Sequence, residues 1–142
     1  MELDDKDGLQ RSYANQALIL RRWERLEEAM ALHKREEALC LELGSKDGLQ
    51  RSYGNQALIL KDWGLLEEGV LLLQKKEALC LEMGLRRDLG YCYWHCGLLA
   101  RAQGDHATER TKLQAALAIF TELKMPRERD AVAAELAKTA GT

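Results

Sequence analysis

Proline occurs once in this chain, at Pro126, and phenylalanine once, at Phe120. With no proline in residues 1–125, nothing there removes a backbone donor or breaks a helix by ring geometry. Aromatic residues are only 6% of the whole, so the material that favours paired strands is scarce. No apolar run approaches the ~18 residues of a membrane span, so no membrane-crossing helix is expected in it. A net charge of −2 gives no general electrostatic case for nucleic acid. The opening Met1-Glu2-Leu3-Asp4-Asp5 is acidic and lacks the basic and apolar regions of a signal peptide, so the expected location is cytoplasmic. There is no Gly-rich phosphate loop, no His-Glu helix motif and no Ser/His/Asp set. We therefore expect neither catalysis nor a cofactor.

The four cysteines divide into two kinds. Cys40 and Cys80 both sit in Glu-Ala-Leu-Cys-Leu-Glu and read as small buried residues. Cys92, His95 and Cys96 would lie near one face of a helix, a partial metal-ligand pattern. Zinc ordinarily takes four ligands, or three and a water, and no second Cys/His pair accompanies these. Core packing with one surface histidine is the preferred reading, with no metal.

What the chain does have is internal repetition. Gly8 to Leu20 recurs almost unchanged as Gly48 to Leu60, with Ala14 replaced by Gly54 as the one difference. Lys6 to Ser45 and Lys46 to Leu85 agree at about 26 of their 40 positions, far beyond shared helical propensity. A fainter third copy places Leu89, Tyr93, Gly97 and Leu98 forty residues after Leu49, Tyr53, Ala57 and Leu58. The expected division is a single domain with repeats at about 6–45, 46–85 and 86–125 and a capping helix at about 126–140.

Abundant Leu, Ala, Glu, Lys and Arg make every repeat helical. Asp7 is the expected N-cap of a first helix from Gly8 to about Arg21, with Tyr13, Ala17 and Leu20 as its buried stripe. Arg22-Trp23-Glu24 makes a turn, and a second helix runs from about Arg25 to Leu43, with Gly44 as its cap. Leu26, Met30, Ala38 and Leu41 are among its apolar positions. The second repeat predicts helices at Gly48–Lys61 and Leu65–Met83, and the third at Arg87–Gln103 and Ala107–Lys124. Pro126 suits the first turn of a last helix to about Lys138. There Val132, Ala133, Leu136 and Ala140 form an apolar side, with Glu128, Glu135 and Lys138 facing water.

Paired helices in tandem fit tetratricopeptide or HEAT/armadillo repeats, and a forty-residue period alone mildly favours HEAT. Gly97, Ala100, Gly104-Asp105, Ala116-Leu117 and Pro126 in the third repeat resemble the tetratricopeptide pattern instead. Ala57 and Gly64 supply the corresponding residues in repeat two, and Ala17 does so in repeat one, where Glu24 departs from the turn glycine. Gln16 and Gln56 stand where that family usually has Leu, so a buried amide there must find a partner. Among long variants the chain is similar to bacterial tetratricopeptide arrays and to Pins-type spindle-orientation adaptors. The match to the adaptors is Arg51-Ser52-Tyr53-Gly54-Asn55 and its copy, and it breaks one turn later at Leu18 and Leu58. The near-identity of repeats one and two looks like a recently amplified bacterial array. The resemblance implies an all-α right-handed superhelical solenoid of three helix pairs plus a C-terminal capping helix.

It also implies a concave groove lined by the first helix of each repeat. By helical phase its stripes are Arg11, Asn15, Leu18 and Arg22, then Arg51, Asn55 and Leu58 followed by Asp62, then Tyr91, Trp94, His95, Leu98 and Arg101. Asn can donate to and accept from a peptide backbone, and Arg can grip a carboxylate bidentately. The bland alternative is solvated arginines and asparagines that hold neighbouring helices. A chaperone-type carboxylate clamp is rejected, because Leu18 and Tyr91 occupy clamp positions that need polar side chains. Arg11, Arg21, Arg22, Arg51, Lys61 and Arg101 against Asp62 make the first helices basic, whereas Glu27-Glu28, Glu36-Glu37 and Glu67-Glu68 read as solvated acidic pairs on second helices. The expected function is a protein-interaction module, scaffold or adaptor whose groove takes a peptide segment of a partner, acidic segments being favoured. The alternative is a self-assembling structural repeat fragment of a larger bacterial signalling protein. Glu2 and Leu3 match Glu42 and Leu43, so the chain begins like the end of a preceding repeat, and its uncapped N-terminal end is a candidate surface for homo-oligomers.

Overall fold

The computed structural model describes the backbone of residues 2–140 and the side chains of Lys6 and residues 8–139. Among the described residues there are seven helices and no strand: α1 Glu2–Arg22, α2 Leu26–Leu43, α3 Lys46–Asp62, α4 Leu66–Met83, α5 Arg86–Ala102, α6 His106–Glu122 and α7 Pro126–Ala140. None is long and apolar enough to cross a membrane. The predicted helices are all present. Only one boundary differs by more than two residues: α1 runs through Asp7, where a cap was expected, and starts at Glu2. Acidic residues suit the electropositive first turns of a helix, so nothing in Glu2-Leu3-Asp4-Asp5 stops it. The Asp7 and Ala140 side chains lie outside the described residues.

The turns explain why the helices stop where they do. Positive φ occurs at Glu24, Gly44, Gly64, Gly84, Gly104 and Lys124 among the described residues, each twenty after the last. A helix ends readily when the following residue turns left-handed, and glycine does so without steric cost. Four of the six positions are therefore glycine, while Glu24 (φ 61°) and Lys124 (φ 56°) adopt the conformation at a cost. Restarts are capped in two places: Ser45 Oγ accepts from Gly48 N–H at 3.2 Å, and Asp105 Oδ1 from Thr108 N–H at 3.1 Å.

Contacts divide the chain into two units, Met1–Leu79 and Cys80–Thr142, with the division inside α4. In the first, α1 packs on α2 and α2 on α3. Ala17, Ala29 and Ile59 form its buried centre, with Leu20, Leu26 and Met30 against it. In the second, α5 packs on α6 and α6 on α7 around Leu113, Ala116, Phe120 and Val132. Phe120 is fully buried, worth roughly 1.5–3 kcal/mol, and meets Tyr91 edge-on at 5.2 Å between ring centres. Gly97 marks the α5–α6 crossing: a Cβ there would lie 2.8 Å from Leu113 Cδ2.

Burial corrects two expectations. The inward face of α2 is Ala29, His33, Glu36 and Cys40, while Leu41 is 59% exposed. Glu36 is therefore buried rather than part of a solvated acidic pair. Its Oε1 lies 3.0 Å from His33 Nδ1, and its Oε2 accepts from Gln10 Nε2 at 3.2 Å. Those bonds are what allow a carboxylate inside. His33, Leu73 and Leu113 share one buried position, and Glu36, Lys76 and Ala116 share another. The backbone thus repeats while the buried chemistry does not. The lone Ala14-to-Gly54 difference follows from this, because a Cβ on Gly54 would stand 2.9 Å from Lys76 Nζ. Glycine makes room for the buried lysine stem. Gln56, also fully buried, donates to Ser52 Oγ at 3.0 Å and Glu37 Oε1 at 2.9 Å, which satisfies its amide nitrogen. Gln16 is exposed and donates to Ser12 Oγ at 2.9 Å.

Candidate binding face on the first helices

Arg11, Asn15, Leu18 and Arg22 are spaced four, three and four residues apart, so α1 presents them as one stripe. All four are exposed, Leu18 by 41%. On α3 the same stripe holds exposed Arg51 and half-buried Asn55 and Leu58. Ala17 of α1 and Ile59 of α3 share one buried cluster with Ala29 of α2, and the C-terminal ends of α1 and α3 are joined by Arg21 Nε donating to Asp62 Oδ2 at 3.0 Å. The side chains of Asn15 and Asn55 make no hydrogen bond among the described residues. No hydrogen bond from either amide ties neighbouring helices together among the described residues. Arg51 donates to Asp47 at 3.0 Å one turn back in α3, an exposed pair worth only about 0.3–0.5 kcal/mol and easily exchanged for another carboxylate.

The third stripe is placed differently. Tyr91, Trp94, His95, Leu98 and Arg101 are all half-buried on α5. Tyr91 stacks on Trp94 with ring centres 6.1 Å apart, and both meet Phe120 edge-on. Tyr91 Oη also donates to Glu128 of α7 at 3.1 Å. Arg101 donates from Nε to Glu109 Oε2 at 2.7 Å, and to the carboxylate and backbone carbonyl of Glu135. Lys138 reaches Glu135 at 3.3 Å, and His106 Nδ1 lies 3.0 Å from Glu109 Oε1. Burial works against charge on Glu109, but hydrogen bonds from His106 and Arg101 prevail and hold its pKa below the ordinary value. Burial likewise opposes, and Arg101 and Lys138 outweigh it, at Glu135, whose pKa is also lowered. The Glu109 bond, against desolvation, raises that of Arg101.

The third stripe is therefore engaged with α6 and α7. Glu128 and Glu135, expected on the wet side of the last helix, turn inward to meet Tyr91 and Arg101. On the first helices Arg21, Arg51 and Arg101 each have an acidic partner. Helical periodicity carries no signal for such pairs, since Arg101 and Glu135 are 34 residues apart. Cys92 is fully buried, and His95 and Cys96 are half-buried on the same helix. Among the described residues no group of three or more His, Cys, Asp or Glu is arranged to hold a metal ion.

The fold defines an all-α protein of consecutive helix–turn–helix pairs in a twenty-residue rhythm. No protein-family model and no curated protein matches the chain. Among solved structures it is similar to BtubC (BKLC) from P. vanneervenii, with a TM-score of 0.73 and 15% identity, over 96% of this chain and 65% of that one. At that identity the likeness is one of fold. This chain spans 65% of that protein's length.

Proposed function

We propose that this chain is a tetratricopeptide-type interaction module whose α1–α3 face binds an extended or helical peptide segment of another protein. The observation that carries the reading is the pair Asn15 and Asn55. Two amides at one repeat position stand on joined helices without a hydrogen-bond partner in the described fold. Each lies one turn from a leucine, Leu18 or Leu58, that is not fully covered. An amide that can donate and accept beside an apolar side chain suits a peptide backbone and its side chains. Exposed Arg11, Arg22 and Arg51 bias the face towards acidic segments and speed their capture. Aromatic anchoring by Trp94 contributes less than its residue type suggests, because its ring already packs on Phe120. A non-catalytic role in a bacterial cytoplasm accords with this reading.

Selection of short peptides against the intact chain tests it, followed by titration of the best binder. The double change Asn15→Ala, Asn55→Ala removes two hydrogen bonds of about 0.5–1.5 kcal/mol each and should weaken binding by roughly tenfold or more. Added salt should weaken it further through the arginines. Binding that ignores both the Asn pair and Arg51→Ala would refute the proposal.

A further inference from the structure

A second feature of the first unit, apolar and open to solvent, lies elsewhere, among α2, α3 and α4. It is a cavity of about 750 Å³, within the roughly 300–1,000 Å³ of small-molecule sites. Met30, Leu60, Trp63, Leu65, Leu71 and Leu72 supply its apolar lining. Leu71 is 59% exposed, Leu65 43% and Trp63 39%, so the cavity opens to solvent along a greasy rim.

The chain contains its own control for whether the repeat needs that rim. Forty residues on, the counterparts of Trp63, Leu65, Leu71 and Leu72 are Gln103, Asp105, Thr111 and Lys112, and α5 and α6 form regardless. Folding therefore does not require apolar residues at these positions. The charges are equally particular. Lys34 and Lys75 line the cavity from α2 and α4, and Lys75 matches position 35 of the first repeat, so the two stand at adjacent register. Lys34 has only a long 3.8 Å contact with Glu37, which already accepts from Gln56. Lys75 lies 5.6 Å over the ring of Tyr53. The one acid of the lining, Glu68, is two turns from Lys75 along α4.

We propose that this cavity binds a monomeric amphiphile with an apolar body and an anionic head, the head between Lys34 and Lys75 and the body along Leu71, Leu72 and Met30 towards Trp63. Charge complementarity selects the head, and the exposed rim selects the body. This site shares no residue with the α1–α3 stripe, so it stands or falls independently of peptide binding.

Calorimetric titration of the full chain with dodecanoate below its micelle concentration tests the proposal, with dodecyltrimethylammonium as the opposite head. Two variants borrow residues the chain itself carries at these positions: Leu71→Thr, and Lys34→Gln with Lys75→Ala. The expected result is saturable one-to-one binding of dodecanoate, weakened about tenfold by Leu71→Thr through lost apolar contact. The lysine pair should weaken dodecanoate and leave the cationic amphiphile unchanged or improved. Matching melting curves establish that each variant is folded. Absence of saturable binding, indifference to Leu71→Thr, equal affinity for both heads, or binding only to anionic vesicles would each overturn the proposal.

Discussion

Replacing Glu24 and Lys124 by glycine should stabilise the protein. Both residues hold positive φ, at 61° and 56°, in a series whose other members are all glycine. Their side chains make no hydrogen bond or ion pair among the described residues, so the substitutions delete no contact. A left-handed conformation costs an ordinary L-residue roughly 1–2 kcal/mol. Glycine gives back about 0.5–1 kcal/mol through the greater freedom it loses on folding. The net is about 0.5–1 kcal/mol per site. The two sites belong to different contact units, so the double variant should gain about 1–2 kcal/mol, or roughly 3–6 °C in Tm. Urea and thermal unfolding followed by circular dichroism would read this directly. Gly64→Ala supplies the reverse control, since a Cβ there meets nothing within 4 Å and only its φ of 80° penalises the change. A double glycine variant no more stable than the parent, with a neutral Gly64→Ala, would show that the turns do not demand this conformation.

Gly97→Ala should cost about 1–3 kcal/mol in a urea titration, since its Cβ would press Leu113, and Gly97→Leu should cost more. Glu36→Ala alone should destabilise by about 1–3 kcal/mol, because His33 and Gln10 lose their acceptor. The double change His33→Leu, Glu36→Ala reproduces the Leu113 and Ala116 of repeat three and should recover much of that loss. Acid should act through Glu109 and Glu135. Their pKa values are depressed in the fold, so the stability they confer is complete above the ordinary 4.5 and is lost as pH falls through the lower folded values. Unfolding titrations above and below that pH should show this slope in the wild type and a shallower one in Arg101→Ala.

The helices and turns were legible because the signals are local and repeated. Gly44, Gly64, Gly84 and Gly104 punctuate the chain, Gly104-Asp105 marks a turn, and Pro126 opens α7 as its fixed φ allows. Leu85 to Arg87 and Lys124 to Pro126 were placed within a residue or two by the same means. What stayed hidden was the partner of each polar group. A buried Glu36 and a solvated Glu27 look alike in a periodic pattern, and only the meeting of α1 and α2 distinguishes them. The inward turn of Glu128 and Glu135 depends on Tyr91 and Arg101, whole helices away. That Arg11, Asn15, Leu18 and Arg22 share one exposed side of α1 was readable because side-chain phase along one helix is a local property. The apolar cavity was not, since it needs Met30, Leu60 and Leu71 from three helices.

Site-specific photo-cross-linking in the source cell tests the central functional claim most directly. A photoreactive residue would replace Leu18, Leu58 or, as control, Leu81, which is 58% exposed on a second helix. The account predicts that Leu18 and Leu58 label one and the same partner protein, that Asn15→Ala with Asn55→Ala abolishes the label, and that Leu81 does not yield it. Labelling of that partner from Leu81 alone, unchanged by the Asn pair, would contradict it.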